Sequence, residues 1–126
     1  MLVLDSGGFS RLSGRTKTAA ALIEAFIDAE LWPPLVPTMV LAESLHGDPR
    51  RDANAHRFRK TTILETDVPS ITARRAAELR RKARTGSAVD ALVIALAEPG
   101  GTVLTGDRGD IEALAAYADD VSVEVI

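Results

Sequence analysis

Four carboxylates in this chain follow runs of apolar residues, at the points where strands end or helices begin in an alternating α/β chain. They are Asp5, Glu43, Asp90 and Asp107. Carboxylates that converge on one pocket repel one another and raise one another's pKa values, and a divalent cation neutralises such a cluster. The chain has no cysteine, so oxygen ligands and a hard cation such as Mg²⁺ or Mn²⁺ are expected. The pattern therefore predicts metal-dependent chemistry on phosphate esters.

Each acid also has a purely structural interpretation. Asp5 could accept hydrogen bonds from the turn that follows it, and Asp90 could be only the third residue of a capping box. Glu43 could be a solvated helix residue, and Asp107 or Asp110 could cap the helix that follows them. Functional groups of open parallel sheets collect beyond the carboxyl ends of the strands. The shared position, more than any single acid, therefore favours a common site.

Alternating apolar runs and turn residues predict the elements that position these acids. The predicted strands are 2–4, 35–37, 61–64, 102–105 and 121–126. The predicted helices are 9–12, 18–30, 39–45, 53–59, 69–84, 87–97 and 111–117, with a turn at 6–8 and a loop at 106–110. Strands separated by helices imply a parallel sheet with right-handed crossovers, so the fold class is α/β. With 126 residues, one domain covering 1–126 is expected.

The composition agrees with helices packed on a sheet and argues against a membrane role. Hydrophobic residues make up 46% of the chain, enough for a core, whereas aromatic residues make up only 4%. The N-terminus has no basic segment of the kind that begins a signal peptide. The longest apolar stretch, 91–97, is far shorter than the roughly 20 residues that span a bilayer. A cytoplasmic protein is therefore expected.

Basic residues gather in two segments, although the net charge is −3. The first contains Arg50, Arg51, Arg57, Arg59 and Lys60, and the second contains Arg74, Arg75, Arg80, Arg81, Lys82 and Arg84. Such segments can be solvated helix faces. Alternatively, some of the arginines hold a polyanion beside the acids, because a nuclease needs acids for its metal and bases for the flanking phosphates.

The order of these motifs resembles the PIN-domain family, small nucleases that include the VapC toxins of bacterial toxin-antitoxin pairs. The resemblance covers the whole chain and rests on Val3–Ser6, Glu43 with Gly47, the helix beginning Asp90-Ala-Leu-Val-Ile-Ala, and Val103–Asp110. It implies a three-layer α/β/α sandwich around a parallel sheet. In that family pattern Asp5, Glu43, Asp90 and Asp107 would form an acidic quartet, with Ser6 and Thr105 as polar neighbours and Asp110 as a possible fifth acid. The Gly7-Gly8 pair departs from the pattern, since a firmer helix start is expected there.

The resemblance also implies an activity and partners. VapC-like proteins cleave RNA with Mg²⁺ or Mn²⁺ and are held inactive by a cognate antitoxin protein. We expect one or two cations between Asp5, Asp90 and Asp107, with Glu43 as the outer member that completes coordination or orients the attacking water. A homodimer is expected too, and an exposed apolar pair, Leu31-Trp32, is the residue-level reason for it.

Two other classes of function compete with a nuclease. A non-catalytic PIN-like module could bind a basic peptide partner in its acidic cleft. A receiver-like phosphoacceptor domain fits poorly, because Leu64-Glu65 and Thr105 occupy the positions where such domains need their acceptor aspartate and a lysine.

Overall fold

Five short strands form one parallel sheet at the centre of the computed structural model, which describes residues 1–126. The strands are β1 (Leu2–Leu4), β2 (Leu35–Pro37), β3 (Ile63–Glu65), β4 (Thr102–Thr105) and β5 (Ser122–Val125). Their order across the sheet is β3-β2-β1-β4-β5, and Val3 of β1 lies in register with Leu35 on one side and Val103 on the other. The predicted α/β class with a parallel sheet is confirmed.

Seven helices cover the two faces of this sheet. They are α1 (Ser6–Ser13), α2 (Lys17–Asp28), α3 (Thr38–Ser44), α4 (Ala53–Arg59), α5 (Ser70–Ala83), α6 (Ala88–Ala97) and α7 (Arg108–Ala115). Helix α1 packs against α2, α3 and α4, whereas α5, α6 and α7 pack against one another. Helices α1 and α6 each contact both β1 and β4, so the sheet lies between two helical layers. The result is the expected three-layer α/β/α sandwich.

The core is made by the central strands and the apolar helix α6. Strand β1 is buried throughout, as is expected for a central strand of a parallel sheet covered on both faces. Helix α6 is apolar nearly all round and buries Ala91, Val93 and Ile94 against the sheet. None of the seven helices has the length and apolarity needed to cross a bilayer.

The start of α1 differs from the sequence-based prediction. A turn was expected at 6–8, but the helix begins at Ser6. A Cβ atom on Gly8 would lie 2.3 Å from the Leu104 carbonyl oxygen, and one on Gly7 would lie 2.6 Å from the Gly106 nitrogen. The glycine pair therefore permits a helix to pack directly on the end of β4. A turn preference predicted from two glycines was overridden by this close approach.

Among the other boundaries that differ from the predictions, three have a clear local cause. Helix α2 begins after Thr16, whose hydroxyl accepts from the Ala19 amide at 3.0 Å, and not after Thr18. Strand β3 starts at Ile63, because the hydroxyls of the two preceding threonines donate to carbonyl groups at the end of α4. Helix α7 begins at Arg108 instead of residue 111 because Asp107 caps it.

The apolar pair Leu31-Trp32 is not the exposed patch that the sequence predicted. Both residues are half-buried and pack against the core. The Trp32 ring meets the Phe58 ring edge-on, with centroids 6.2 Å apart. The residue-level reason for expecting a homodimer is therefore wrong, and that expectation rests on the resemblance alone.

Candidate acidic site

Asp5 ends β1 and is the only one of the four acids that is buried, with 6% of its surface exposed. It is the N-cap of α1, and its Oδ1 accepts a hydrogen bond of 2.7 Å from the Gly8 amide. Burial raises the pKa of Asp5 above its ordinary value of 3.8, although the hydrogen bonds from Gly8 and the Thr105 hydroxyl lower it. The charge of Asp90 raises it further. Asp5 is thus a rigid carboxylate in an unfavourable electrostatic position.

Glu43 lies in the last turn of α3, the helix that follows β2, and its residue surface is exposed. The pKa of Glu43 is raised by partial desolvation of its carboxyl group and then by the charges of Asp90 and Asp5. The side chain has no hydrogen-bond partner or ion pair, so it keeps its freedom to move. Three acids from three separate elements therefore share one negative field.

Asp90 lies in the first turn of α6 and is half-buried. The predicted capping box is present: the Asp90 amide donates to the Ser87 hydroxyl at 3.0 Å, and the Ser87 amide donates to Asp90 Oδ2 at 3.3 Å. The second bond is long, and it uses only one carboxylate oxygen. Asp90 can therefore support the helix and still offer an oxygen to the site.

Asp107 lies at the rim of the group. It is exposed and caps α7 by accepting from the Gly109 amide at 3.0 Å. The buried Thr105 hydroxyl accepts from the Asp107 amide at 3.0 Å, which fixes the turn after β4. Asp90 and Asp5 are the charges that raise the pKa of Glu43. The structure thus brings Asp5, Glu43 and Asp90 together and leaves Asp107 exposed at the rim of the same sheet edge.

Asp110, the fifth acid of the family pattern, has a structural partner. The Thr85 hydroxyl donates to the Asp110 carboxylate, and this bond joins α7 to the turn between α5 and α6. Asp110 thus connects the elements around the site. It is not one of the acids whose charge is seen to raise the pKa of Asp5 or Glu43.

Asp52 is a buried acid that the sequence analysis did not single out, and it holds the loop that follows Glu43. Asp52 is 3% exposed, and its carboxylate accepts from the His46 amide at 2.9 Å and the Gly47 amide at 2.8 Å. These hydrogen bonds lower the pKa of Asp52. They fix the loop that leaves α3 just after Glu43. Its neighbours in the sequence are polar and carry no periodic pattern, so nothing in the sequence marks it as buried.

The donor set suits a hard cation in chemistry but is not drawn together around one. No three Asp, Glu or His side chains in the chain are arranged so that they could hold an ion. All the available ligands are carboxylate oxygens, which Mg²⁺ and Mn²⁺ prefer. Glu43 is unbonded, so its side chain can turn toward the fixed Asp5, and Asp90 can offer the carboxylate oxygen that the capping box leaves free. The residues fit such a cation if the mobile Glu43 carboxylate closes on it.

This arrangement can do one of two things chemically: it can hold a divalent cation, or it can pair with a basic side chain. Both relieve the repulsion among carboxylates that the three elements impose. No protein-family model matches the chain, and neither does any curated protein.

Proposed function

We propose that this chain is a metal-dependent ribonuclease of the PIN-domain type. Asp5, Glu43 and Asp90 would hold Mg²⁺ or Mn²⁺, and Asp107 would complete the acidic quartet from the rim. The observation that carries the proposal is that acids from three separate elements meet at the carboxyl edge of a parallel sheet. Beyond the effect of desolvation, the charge of Asp90 raises the pKa of Asp5, and the charges of Asp90 and Asp5 raise the pKa of Glu43. Perturbed groups gathered at this edge are typical of functional sites, and a bound cation would stabilise all three in the ionised form.

The acids of the site have different roles because they differ in mobility. Asp5, buried and held by Gly8, is the fixed ligand that sets the position of the site. Glu43, exposed and unbonded, is free to complete the coordination or to orient the attacking water. A bound cation supplies the charge that activates water and stabilises the leaving oxygen of a phosphodiester. Attack by water leaves a 5′-phosphate and a 3′-hydroxyl.

The toxin assignment and the antitoxin partner follow from the resemblance. In this proposal the chain is the toxin of a type II pair, and a cognate antitoxin protein holds it inactive. The acidic site supports such control, since an arginine from a partner could pair with the Asp5, Glu43 and Asp90 carboxylates in place of a cation.

Replacing single acids tests the nuclease directly. Asp5→Asn and Asp90→Asn should each lower Mg²⁺-dependent cleavage of single-stranded RNA by about 100-fold or more, because each removes a charge that binds the cation. Both variants keep a capping side chain, so circular dichroism should show the wild-type fold. Asp28→Asn, on an exposed acid at the end of α2, is the matched control and should retain activity. Full cleavage by either site variant, or by wild type in excess chelator, contradicts the proposal.

A non-catalytic binding module is the second candidate. It is favoured by one observation, that no three acids are already arranged to hold an ion. Calorimetric titration with Mn²⁺ separates the two functions, with Asp5→Asn as the reference. Millimolar or tighter binding that disappears in Asp5→Asn supports the enzyme, whereas no binding supports a module that receives a basic peptide.

A further inference from the structure

The last turn of α5 and the residues that join it to α6 form a polar cleft of about 350 Å³. It is lined by Arg80, Arg81, Arg84, Thr85 and Gly86, and none of these residues is hydrophobic. We call it the arginine cleft. Three cationic side chains and a hydroxyl therefore surround one concave surface.

The cationic groups of this cleft have no acidic partners. The ion pairs of the chain involve Arg75, Lys82 and Arg108, and none involves a cleft residue. Arg80 donates from Nε to the Gly86 carbonyl oxygen at 3.2 Å, whereas the side chains of Arg81 and Arg84 are exposed and make no hydrogen bond. Arg80, Arg81 and Arg84 line one surface with like charges, so their guanidinium groups repel one another. An anion in the cleft would remove that repulsion.

The cleft is held in shape by its surroundings. Arg84 ends α5 in the left-handed conformation, with φ 57°. A Cβ atom on Gly86, where φ is +91°, would lie 2.6 Å from the Leu114 side chain, so this turn is packed against α7. The bond from Thr85 to Asp110 joins the same turn to α7. The arginines therefore lie on the end of a helix and on a turn that is packed against α7.

The cleft lies at the same edge of the sheet as the acidic site. Its last residue, Gly86, directly precedes Ser87, the N-cap of α6, and Asp90 lies in the first turn of that helix. Thr85 contacts α7, the helix that Asp107 caps. The cleft thus lies beside the start of the helix that carries Asp90.

We propose that the arginine cleft binds a backbone phosphate of single-stranded RNA that flanks the bond cleaved at the acidic site. The inference rests on the proposed function for the identity of the ligand. Guanidinium groups bind phosphate oxygens through paired hydrogen bonds, and such contacts position a strand without reading its sequence. The cleft holds the strand while the acids act on the neighbouring phosphate.

Salt-dependent binding tests the cleft apart from catalysis. Affinity for a short fluorescein-labelled single-stranded RNA is measured by anisotropy in excess chelator, from about 50 to about 200 mM salt. Loss of one phosphate contact lowers the slope of log affinity against log salt by about 0.7, which is about fivefold weaker binding at about 0.1 M salt. We expect this loss in Arg81→Gln and in Arg84→Gln, and we expect Arg81→Lys to keep the wild-type slope.

The matched control is Arg74→Gln. Arg74 is on the same helix, exposed and without an ion pair, about 10 Å along the axis from Arg81. This variant changes the net charge equally and should bind like wild type. Equal losses in the cleft and control variants, or no RNA binding by the wild type, overturn the proposal.

Cleavage assays on the same variants separate this inference from the proposed function. Cleft-dependent binding by a chain that cleaves no RNA supports the cleft and refutes the nuclease. Cleavage together with equal binding by Arg81→Gln and Arg74→Gln refutes the cleft and supports the nuclease.

Discussion

Asp5 combines two roles that have opposite effects on stability. As the N-cap of α1 it satisfies the Gly8 amide, which stabilises the helix. As a buried carboxylate near Asp90 it is costly to ionise. A residue needed only as a cap could be an asparagine. The negative charge is therefore the property that calls for a functional explanation.

This conflict gives Asp5→Asn a pH-dependent effect on stability. Because the folded-state pKa of Asp5 lies above its ordinary value of 3.8, the folded protein binds this proton more tightly than the unfolded chain. The free energy of unfolding therefore falls as pH rises through the window between these values, and it stays lower at neutral pH. Asparagine keeps the capping oxygen and removes the charge. We expect Asp5→Asn to melt at a higher temperature than wild type at pH 7.

The same melts should converge as pH falls below 3.8, where the wild-type carboxyl is protonated in both states. Calorimetric scans of both proteins across this range, in chelator, measure the difference. A variant that melts lower at neutral pH would show that the charge of Asp5 does not oppose folding.

At the residue scale, the type and spacing of side chains predicted that the acids lie at the ends of strands and the starts of helices. They did not predict which of these acids lie together. The capping box of Asp90 was visible in the sequence because both partners lie within one helical turn. The separate position of Asp107 and the burial of Asp52 were not visible. Both depend on how distant elements pack, which no local pattern encodes.

At the scale of elements, two glycines hold α1 against β4. The backbone of α1 approaches Leu104 so closely that a single methyl group on Gly8 would overlap a carbonyl oxygen. Since Asp5 caps this helix, the packing also sets the orientation of the fixed carboxylate. The helix and the site depend on the same contact.

Gly8→Ala should therefore destabilise the protein by about 3 kcal/mol, the upper part of the range for overpacking. Gly14→Ala is the control in the same helix region. Gly14 has φ −74°, and an added Cβ would meet only ordinary contacts at 3.5 Å or more. This change should stabilise the chain by about 0.5 kcal/mol through the unfolded state. Urea unfolding measures both, and a Gly8→Ala variant as stable as wild type would disprove the packing argument.

Strands and helices with a clear period or clear flanking signals were predicted well. Strands β1, β2 and β4 and helix α4 have the predicted bounds. Errors occurred where a local preference competed with packing or with a neighbouring cap. The Gly7-Gly8 pair suggested a turn but allowed close contact, and the capping residues Thr16 and Asp107 began their helices earlier than the apolar periodicity indicated.

At the scale of the whole molecule, charge is separated although the net charge is only −3. The order β3-β2-β1-β4-β5 brings acids that follow β1, β2 and β4 to one edge, and the hairpin of α5 and α6 brings three arginines beside them. Under the proposed function, a near-neutral chain would thus attract a polyanion locally and bind a cation next to it.

A homodimer remains a prediction from the resemblance. Leu31-Trp32 is packed on the core, so it offers no interface. Small-angle scattering across a wide concentration range should give a dimer mass if the resemblance extends to assembly. A mass of one chain, 13.4 kDa, at every concentration would count against it.

The left-handed Arg84 has one more consequence. A side chain in this conformation costs roughly 1 kcal/mol compared with glycine, the residue most common at such helix ends. If the arginine cleft binds phosphate, the chain forgoes that stability to keep a cation at this position. Selection for thermal robustness alone would then favour glycine at position 84 and erode RNA affinity, so laboratory evolution toward heat resistance should separate the two traits here first.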